Sequence, residues 1–150
     1  MIKAIFIIFV LSLMVAGMLG CELTGAGTDY SGPMEWLNGW TEALEQAQAQ
    51  NKPILINFYT DICPACRKLD QETYTDEELS AFLNANFINL RSNAGKSTLF
   101  KRYGIGAVPT IVFNTPDGYD KKYEISRFTG YRDAEAFYQE AQAALDKWQS

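Results

Sequence analysis

The sequence predicts an α/β fold with a central mixed β-sheet flanked by helices on both faces, and three stretches carry that prediction. Ile54-Leu55-Ile56-Asn57-Phe58-Tyr59, behind Pro53, is the near-continuous apolar run of a central strand covered on both faces. Cys63-Pro64-Ala65-Cys66 follows at once. Proline suits the first helical position, where its missing N–H costs nothing and its fixed φ is already helical, so this unit reads as strand, N-cap and helix start. Third, strand-like residues 108–113 and 122–128 flank the turn sequence Thr115-Pro116-Asp117-Gly118, which gives a hairpin.

The other elements follow from spacing. Trp40, Ala43, Leu44 and Ala47 recur at helical intervals over residues 40–50, and Asn51-Lys52-Pro53 stops that helix. Thr75-Asp76-Glu77-Glu78 has the form of a capping box, after which Leu79, Phe82 and Leu83 supply one apolar stripe. Residues 87–90 alternate as a strand does. Leu99, Phe100 and Tyr103 mark a short helix ended by Gly104, where a left-handed cap is easy for glycine. Phe137, Ala141, Ala144, Leu145 and Trp148 put an apolar face on a last helix that begins near Asp133. The resulting order is α-β-α-α-β-α-β-β-α.

Composition narrows the chemistry. A chain of 150 residues that is 47% hydrophobic supports one ordinary core. Its 13 Lys and Arg against 18 Asp and Glu leave a net charge of −5, with no basic run to track a nucleic-acid backbone, so nucleic acid is excluded as a partner. The absence of histidine removes Ser-His-Asp and Cys-His catalysis and every His-ligated metal site. Sulfur is what is left. If Cys63 caps a helix, its sulfur sits over the unsatisfied N–H groups of the first turn, which favours thiolate, and Cys66 one turn on can reach it to close a disulfide. The same pair also fits half of a four-cysteine zinc site or two buried thiols. Asn93-Ala94-Gly95-Lys96-Ser97 mimics the end of a phosphate-binding loop, but Leu90 stands where that loop needs glycine.

The chain begins as an address. Met1-Ile2-Lys3 carries one positive charge, and residues 4–20 are uncharged and almost wholly apolar, which is a secretory signal pattern. Met18-Leu19-Gly20-Cys21 resembles the bacterial lipobox, in which the cysteine is lipidated and becomes the mature N-terminus. Each buried acyl methylene contributes about 0.8 kcal/mol, so several chains on Cys21 would hold a soluble domain at a membrane. Glu22 at the next position favours the outer membrane. Residues 22–33, rich in Gly, Thr and Ser, read as a flexible tether. The expected organisation is a signal peptide at 1–20, a lipid-anchored tether at 21–35 and one domain at 36–150.

The motifs of that domain resemble one family. Trp40-x-x-Ala43-Leu44, Lys52-Pro53-Ile54-Leu55-Ile56, Cys63-Pro64-Ala65-Cys66-Arg67-Lys68-Leu69 and Phe87, in the order above, look like the thioredoxin fold. Within it they are similar to the group that contains the C-terminal domain of the DsbD-type thiol:disulfide interchange proteins. Gly104-Ile105-Gly106-Ala107-Val108-Pro109-Thr110 resembles the family's cis-proline loop. The resemblance implies that Cys63 is the nucleophile, Cys66 the resolving thiol, Pro109 a cis residue beside Cys63, and the Val108 backbone a contact for an extended substrate. Without the cysteines Pro109 would read as an edge-strand proline. Two positions depart from the pattern. Ile62 stands where many relatives have tryptophan, and Asn57 where relatives keep a buried carboxylate that helps deprotonate the second cysteine. Asparagine cannot take a proton, which leaves water or another carboxylate, with Asp61 the nearest in sequence unless it is a solvated loop residue. Arg67 and Lys68 would favour the Cys63 thiolate if they turned toward it.

The expected activity is that of an extracytoplasmic, lipid-anchored thiol:disulfide oxidoreductase needing no cofactor. It would reduce protein disulfides and be recharged by a DsbD-like membrane dithiol donor. An oxidase or isomerase of the same fold, and a thiol-based copper-assembly module, are the alternatives.

Overall fold

In the computed structural model, residues 30–150 are described; the leader, Cys21 and most of the tether stretch lie outside them. The elements are α1 (Trp40–Gln50), β1 (Ile54–Tyr59), α2 (Pro64–Lys68), a π-helical turn (Leu69–Thr73), α3 (Glu77–Asn86), β2 (Ile88–Asn93), α4 (Leu99–Arg102), β3 (Thr110–Asn114), a 3-10 turn (Lys121–Tyr123), β4 (Glu124–Thr129) and α5 (Ala134–Gln149). The sheet order is β2-β1-β3-β4, with β1 parallel to β2 and antiparallel to β3, and β3 antiparallel to β4. A mixed four-stranded sheet with β1 in its interior is the thioredoxin fold.

All six residues of β1 are buried, and the two-residue period of a strand divides them between two cores. Ile54, Ile56 and Phe58 join Leu90, Val112, Ala43 and Ala47 of α1, and Leu99 and Tyr103 around α4. Leu55 joins Ile111, Phe113, Leu79 and Leu83 of α3, and Phe137, Ala141 and Ala144 of α5. Each face of the sheet therefore carries its own helix pair. Packing begins ahead of α1: Met34 is buried, the Tyr30 hydroxyl donates to the Tyr74 carbonyl at 2.7 Å, and Leu37 bridges Leu90 in parallel.

Several boundaries differ from the sequence reading, each for a local reason. Asp76, not Thr75, caps α3, its carboxylate accepting from the Leu79 N–H at 2.8 Å, while the Thr75 hydroxyl donates back to the Gln71 carbonyl. Phe87 is the C-cap of α3, so β2 starts at Ile88 and runs on to Asn93. The strand expected from residue 108 starts at Thr110, because Val108 and Pro109 form a cis loop and Pro109 has no N–H for the ladder. The 3-10 turn delays β4 to Glu124, and the β3–β4 register shifts between Phe113 and Asn114. Asn51 at φ 49° and Gly104 at φ 59° take the left-handed caps that end α1 and follow α4. Among the described residues no helix is long and apolar enough to cross a membrane.

Candidate active site

β1 ends at Tyr59, and a short turn delivers Cys63 to the start of α2 as its N-cap, with Pro64 at the first helical position. The extended backbone of Cys63 (φ −84°, ψ 111°) aims its side chain back over the helix, where Sγ accepts the Cys66 N–H at 3.1 Å. The two cysteines form a disulfide with their Cα atoms 5.3 Å apart. Both are buried, against Tyr59, Ala65 and Val108.

Val108, 45 residues on, reaches the same point. The Val108–Pro109 peptide bond is cis, and the Val108 carbonyl oxygen lies 3.7 Å from Cys63 Sγ. The loop is held from both sides: the Thr110 hydroxyl donates to the Ala107 carbonyl at 2.8 Å, and the Gly130 N–H donates to the Pro109 carbonyl at 2.8 Å. Gly130 sits at φ 91°, a conformation that suits glycine. Cys63, Cys66, Val108 and Pro109, selected from the sequence, thus converge. Ile62 stands beside them with 85% of its surface exposed, an apolar side chain facing solvent next to the disulfide.

Asn57 and Asp61, both shortly before the pair in sequence, sit in different surroundings, and Asp61 is the solvated loop residue that the sequence allowed. Asn57 is buried in the middle of β1, opposite Arg91 and Ile111, and its Oδ1 has no hydrogen-bond partner. Asp61 turns outward, accepting from Asn93 Nδ2 at 2.9 Å and lying 3.6 Å from Lys96 Nζ, so it is a solvated loop carboxylate. Neither cation after Cys66 turns toward Cys63. Arg67 Nη1 donates to the Asp61 carbonyl, and Lys68 lies 3.7 Å from Glu72 and 4.1 Å over the Tyr131 ring.

Two residues that sequence reasoning missed fill the space behind the disulfide. The Arg91 side chain is 3% exposed, its Nη2 donates to Asp70 Oδ2 at 3.0 Å, and its guanidinium stacks 4.4 Å from the centre of the Tyr59 ring. Burial raises the Asp70 carboxyl above its ordinary 3.8, an effect the neighbouring Arg91 charge opposes. Burial likewise raises the Tyr30 and Tyr74 hydroxyls. A cleft of about 730 Å³ opens here, lined by Tyr59, Cys66, Asp70 and Arg91, with Tyr30 and Lys96 near them. The available signals were small: an acid four residues after Cys66, and a lone arginine in a buried strand. Among the described residues no three His, Cys, Asp or Glu side chains converge as metal ligands would. A vicinal thiol pair that closes a disulfide can exchange it with another molecule's disulfide.

A family model described as a thioredoxin-like domain matches residues 40–145. The chain is 35% identical over 101 residues to the thiol:disulfide interchange protein DsbD of Yersinia pestis, a match covering 64% of this chain and 16% of that much longer protein. A thioredoxin from Thermus thermophilus superposes with a TM-score of 0.64 at 26% identity, over 73% of this chain and 85% of its own. The oxidised DsbD C-terminal domain of Neisseria meningitidis shares the fold, with a TM-score of 0.56 at 19% identity over 68% of this chain and 90% of its own. By its matched domain, its sheet order and its linked Cys63–Cys66 pair, the chain belongs to the thioredoxin-like thiol:disulfide oxidoreductases.

Proposed function

We propose that the protein reduces protein disulfides on the extracytoplasmic side of a bacterial membrane, to which lipidated Cys21 tethers it. In its reduced state the Cys63 thiolate attacks a partner disulfide, and one partner sulfur leaves as thiolate while a mixed disulfide forms. Cys66, once deprotonated, attacks Cys63 Sγ. The Cys63–Cys66 bond forms, the bond to the partner breaks, and its electron pair leaves on the second partner sulfur. The partner gains two electrons and the protein is left oxidised, so a membrane dithiol donor similar to DsbD must reduce it again. The partner segment lies along Val108 and Pro109.

One observation carries this reading: Cys63 Sγ receives the Cys66 N–H while lying 3.7 Å from the Val108 carbonyl. The N–H donation favours a negative sulfur, and the carbonyl gives an extended partner a backbone contact at the reacting atom. The similarity to DsbD supports the reducing direction, and the leader with Cys21 supports the tether. Insulin reduction by the reduced protein tests it. Wild type is expected to precipitate the insulin B chain and Cys63→Ser to lose that activity; retention by Cys63→Ser would overturn the reading.

A further inference from the structure

We infer that a second cleft, between the start of α1, β2 and α4, binds a small organic phosphate. It shares Tyr59 and Arg91 with the cleft behind the disulfide but is lined by neither cysteine, so the inference stands apart from the thiol chemistry. Its volume of about 640 Å³ is that of a small-molecule site. Charge sets it apart from the rest of the molecule. The chain has 18 Asp and Glu against 13 Lys and Arg, yet among the described residues this cleft is lined by Arg91, Lys96 and Arg102 and by no acid. Arg91 is met by Asp70, and Lys96 lies 3.6 Å from Asp61 in an exposed pair that water screens. Arg102 forms no ion pair among the described residues and lies 4.5 Å over the Tyr119 ring.

Three residues in its walls also lack an acceptor. Trp40 Nε1, Arg91 Nε and Ser92 Oγ are buried without a hydrogen-bond partner, and Ser92 as a whole is only 4% exposed. An indole or guanidinium N–H can only donate, and a serine hydroxyl can donate as well. Leaving such groups unmet is costly, so their gathering in one cleft calls for an occupant rich in acceptors. The atoms are covered, so binding includes the short side-chain rotations that present them.

The donors and cations come from α1, β2, the loop after β2 and α4, that is, from several sides of the cleft. That arrangement suits a tetrahedral phosphate with three terminal oxygens better than a planar carboxylate with two. Trp40 and Tyr119 add an aromatic wall, their ring centres 5.4 Å apart and edge to face, which suits an organic group on the phosphate. The loop after β2 offers no backbone cradle. Asn93 already occupies its N–H groups, its side chain accepting from Gly95 at 2.9 Å and its carbonyl from Lys96 and Ser97 at 3.0 and 2.9 Å. Side chains therefore do the binding, which agrees with the missing glycine that sets residues 93–97 apart from a true phosphate loop.

The test is an NMR titration of the nitrogen-15-labelled full-length protein with phenyl phosphate at constant ionic strength, read at the indole N–H signals of its 3 tryptophans. Loss of one signal in Trp40→Phe identifies Trp40. Its signal is expected to shift and saturate with a dissociation constant of about 1 mM or tighter, while those of Trp36 and Trp148, which do not line the cleft, stay in place. Arg102→Gln and Ser92→Ala should each weaken binding about 10-fold. Should Ser92→Ala not fold, the exposed Arg102→Gln carries the same expectation. Benzyl alcohol, which has the ring without the charge, should give no saturable shift, and inorganic phosphate should bind more weakly than phenyl phosphate. No saturable shift at Trp40, equal shifts at all three tryptophans, or wild-type affinity in Arg102→Gln overturns the inference. Benzoate binding as tightly as phenyl phosphate overturns the choice of phosphate, and inorganic phosphate binding as tightly overturns the organic group.

Discussion

Arg91 Nη2 donates to Asp70 Oδ2 at 3.0 Å, tying edge strand β2 to the helical segment that carries Cys66. Two elements far apart in sequence are thereby pinned behind the disulfide by a buried arginine and a carboxylate that is only partly buried. Such a pair contributes little relative to an apolar pair of the same shape, but either partner alone is costly to bury. Arg91→Leu is therefore expected to destabilise the fold by about 3 kcal/mol. The double variant Arg91→Leu/Asp70→Leu should cost less than Arg91→Leu alone. Denaturant titration of wild type, Arg91→Leu, Asp70→Leu and the double variant checks this; a double variant as unstable as the sum of its singles would mean that the residues do not interact.

The same carboxyl gives stability a pH signature. Because burial holds its folded pKa above the ordinary 3.8, the folded state binds the Asp70 proton more tightly than the unfolded chain does. Its contribution is thus fully present below the unfolded pKa and is lost as pH rises through the folded value. The unfolding free energy of wild type minus that of Asp70→Asn should fall as pH is raised from about 3 toward neutrality. A difference that rose with pH would show that Arg91 outweighs burial.

Tyr103 supplies a purely architectural test. Its hydroxyl donates to Asn114 Oδ1 at 2.9 Å, and Asn114 Nδ2 donates to the Thr115 and Gly118 carbonyls, so one buried amide fastens α4 to the hairpin turn. Burial, aided by the Glu124 and Asp120 charges, keeps that hydroxyl protonated. Tyr103→Phe leaves Asn114 Oδ1 unsatisfied and should cost about 1–3 kcal/mol with disulfide reduction unchanged below the unfolding transition. A loss of activity in the folded variant would contradict this assignment.

Ile62 is the converse case. Exposed over 85% of its surface, it adds little to the core, and Ile62→Ser should shift stability by no more than about 0.5 kcal/mol. It adjoins Cys63 in the chain, so a protein substrate docked at that sulfur is expected to touch it. Ile62→Ser should raise the KM for insulin while leaving the reaction with oxidised glutathione unaffected; equal effects on both would tie Ile62 to the sulfur chemistry itself.

Much of this architecture was legible in the sequence, because its strongest signals are local. The apolar run of β1, Pro64 at the start of α2 and the left-handed Gly104 each announce one backbone conformation. The convergence of Cys63 with Val108 was readable only because the family resemblance joined segments 45 residues apart in the chain. The Asp70–Arg91 pair was not readable. Its members sit on different elements, an arginine in β2 looks like any polar strand residue, and the π turn that steers Asp70 leaves no periodic mark. Thr75 misled for a related reason: Asp76 beside it is an equally good cap, and tertiary packing decides which of the two begins α3.

In the proposed cycle Cys63 makes, and Cys66 breaks, a mixed disulfide with an extracytoplasmic protein. Cys66→Ser, expressed in the native host and recovered after acid quenching, tests it most directly. Adducts that dissociate on reduction, contain envelope proteins and vanish in Cys63→Ser/Cys66→Ser are the predicted result. A Cys66→Ser protein recovered wholly free of adducts would contradict the claim.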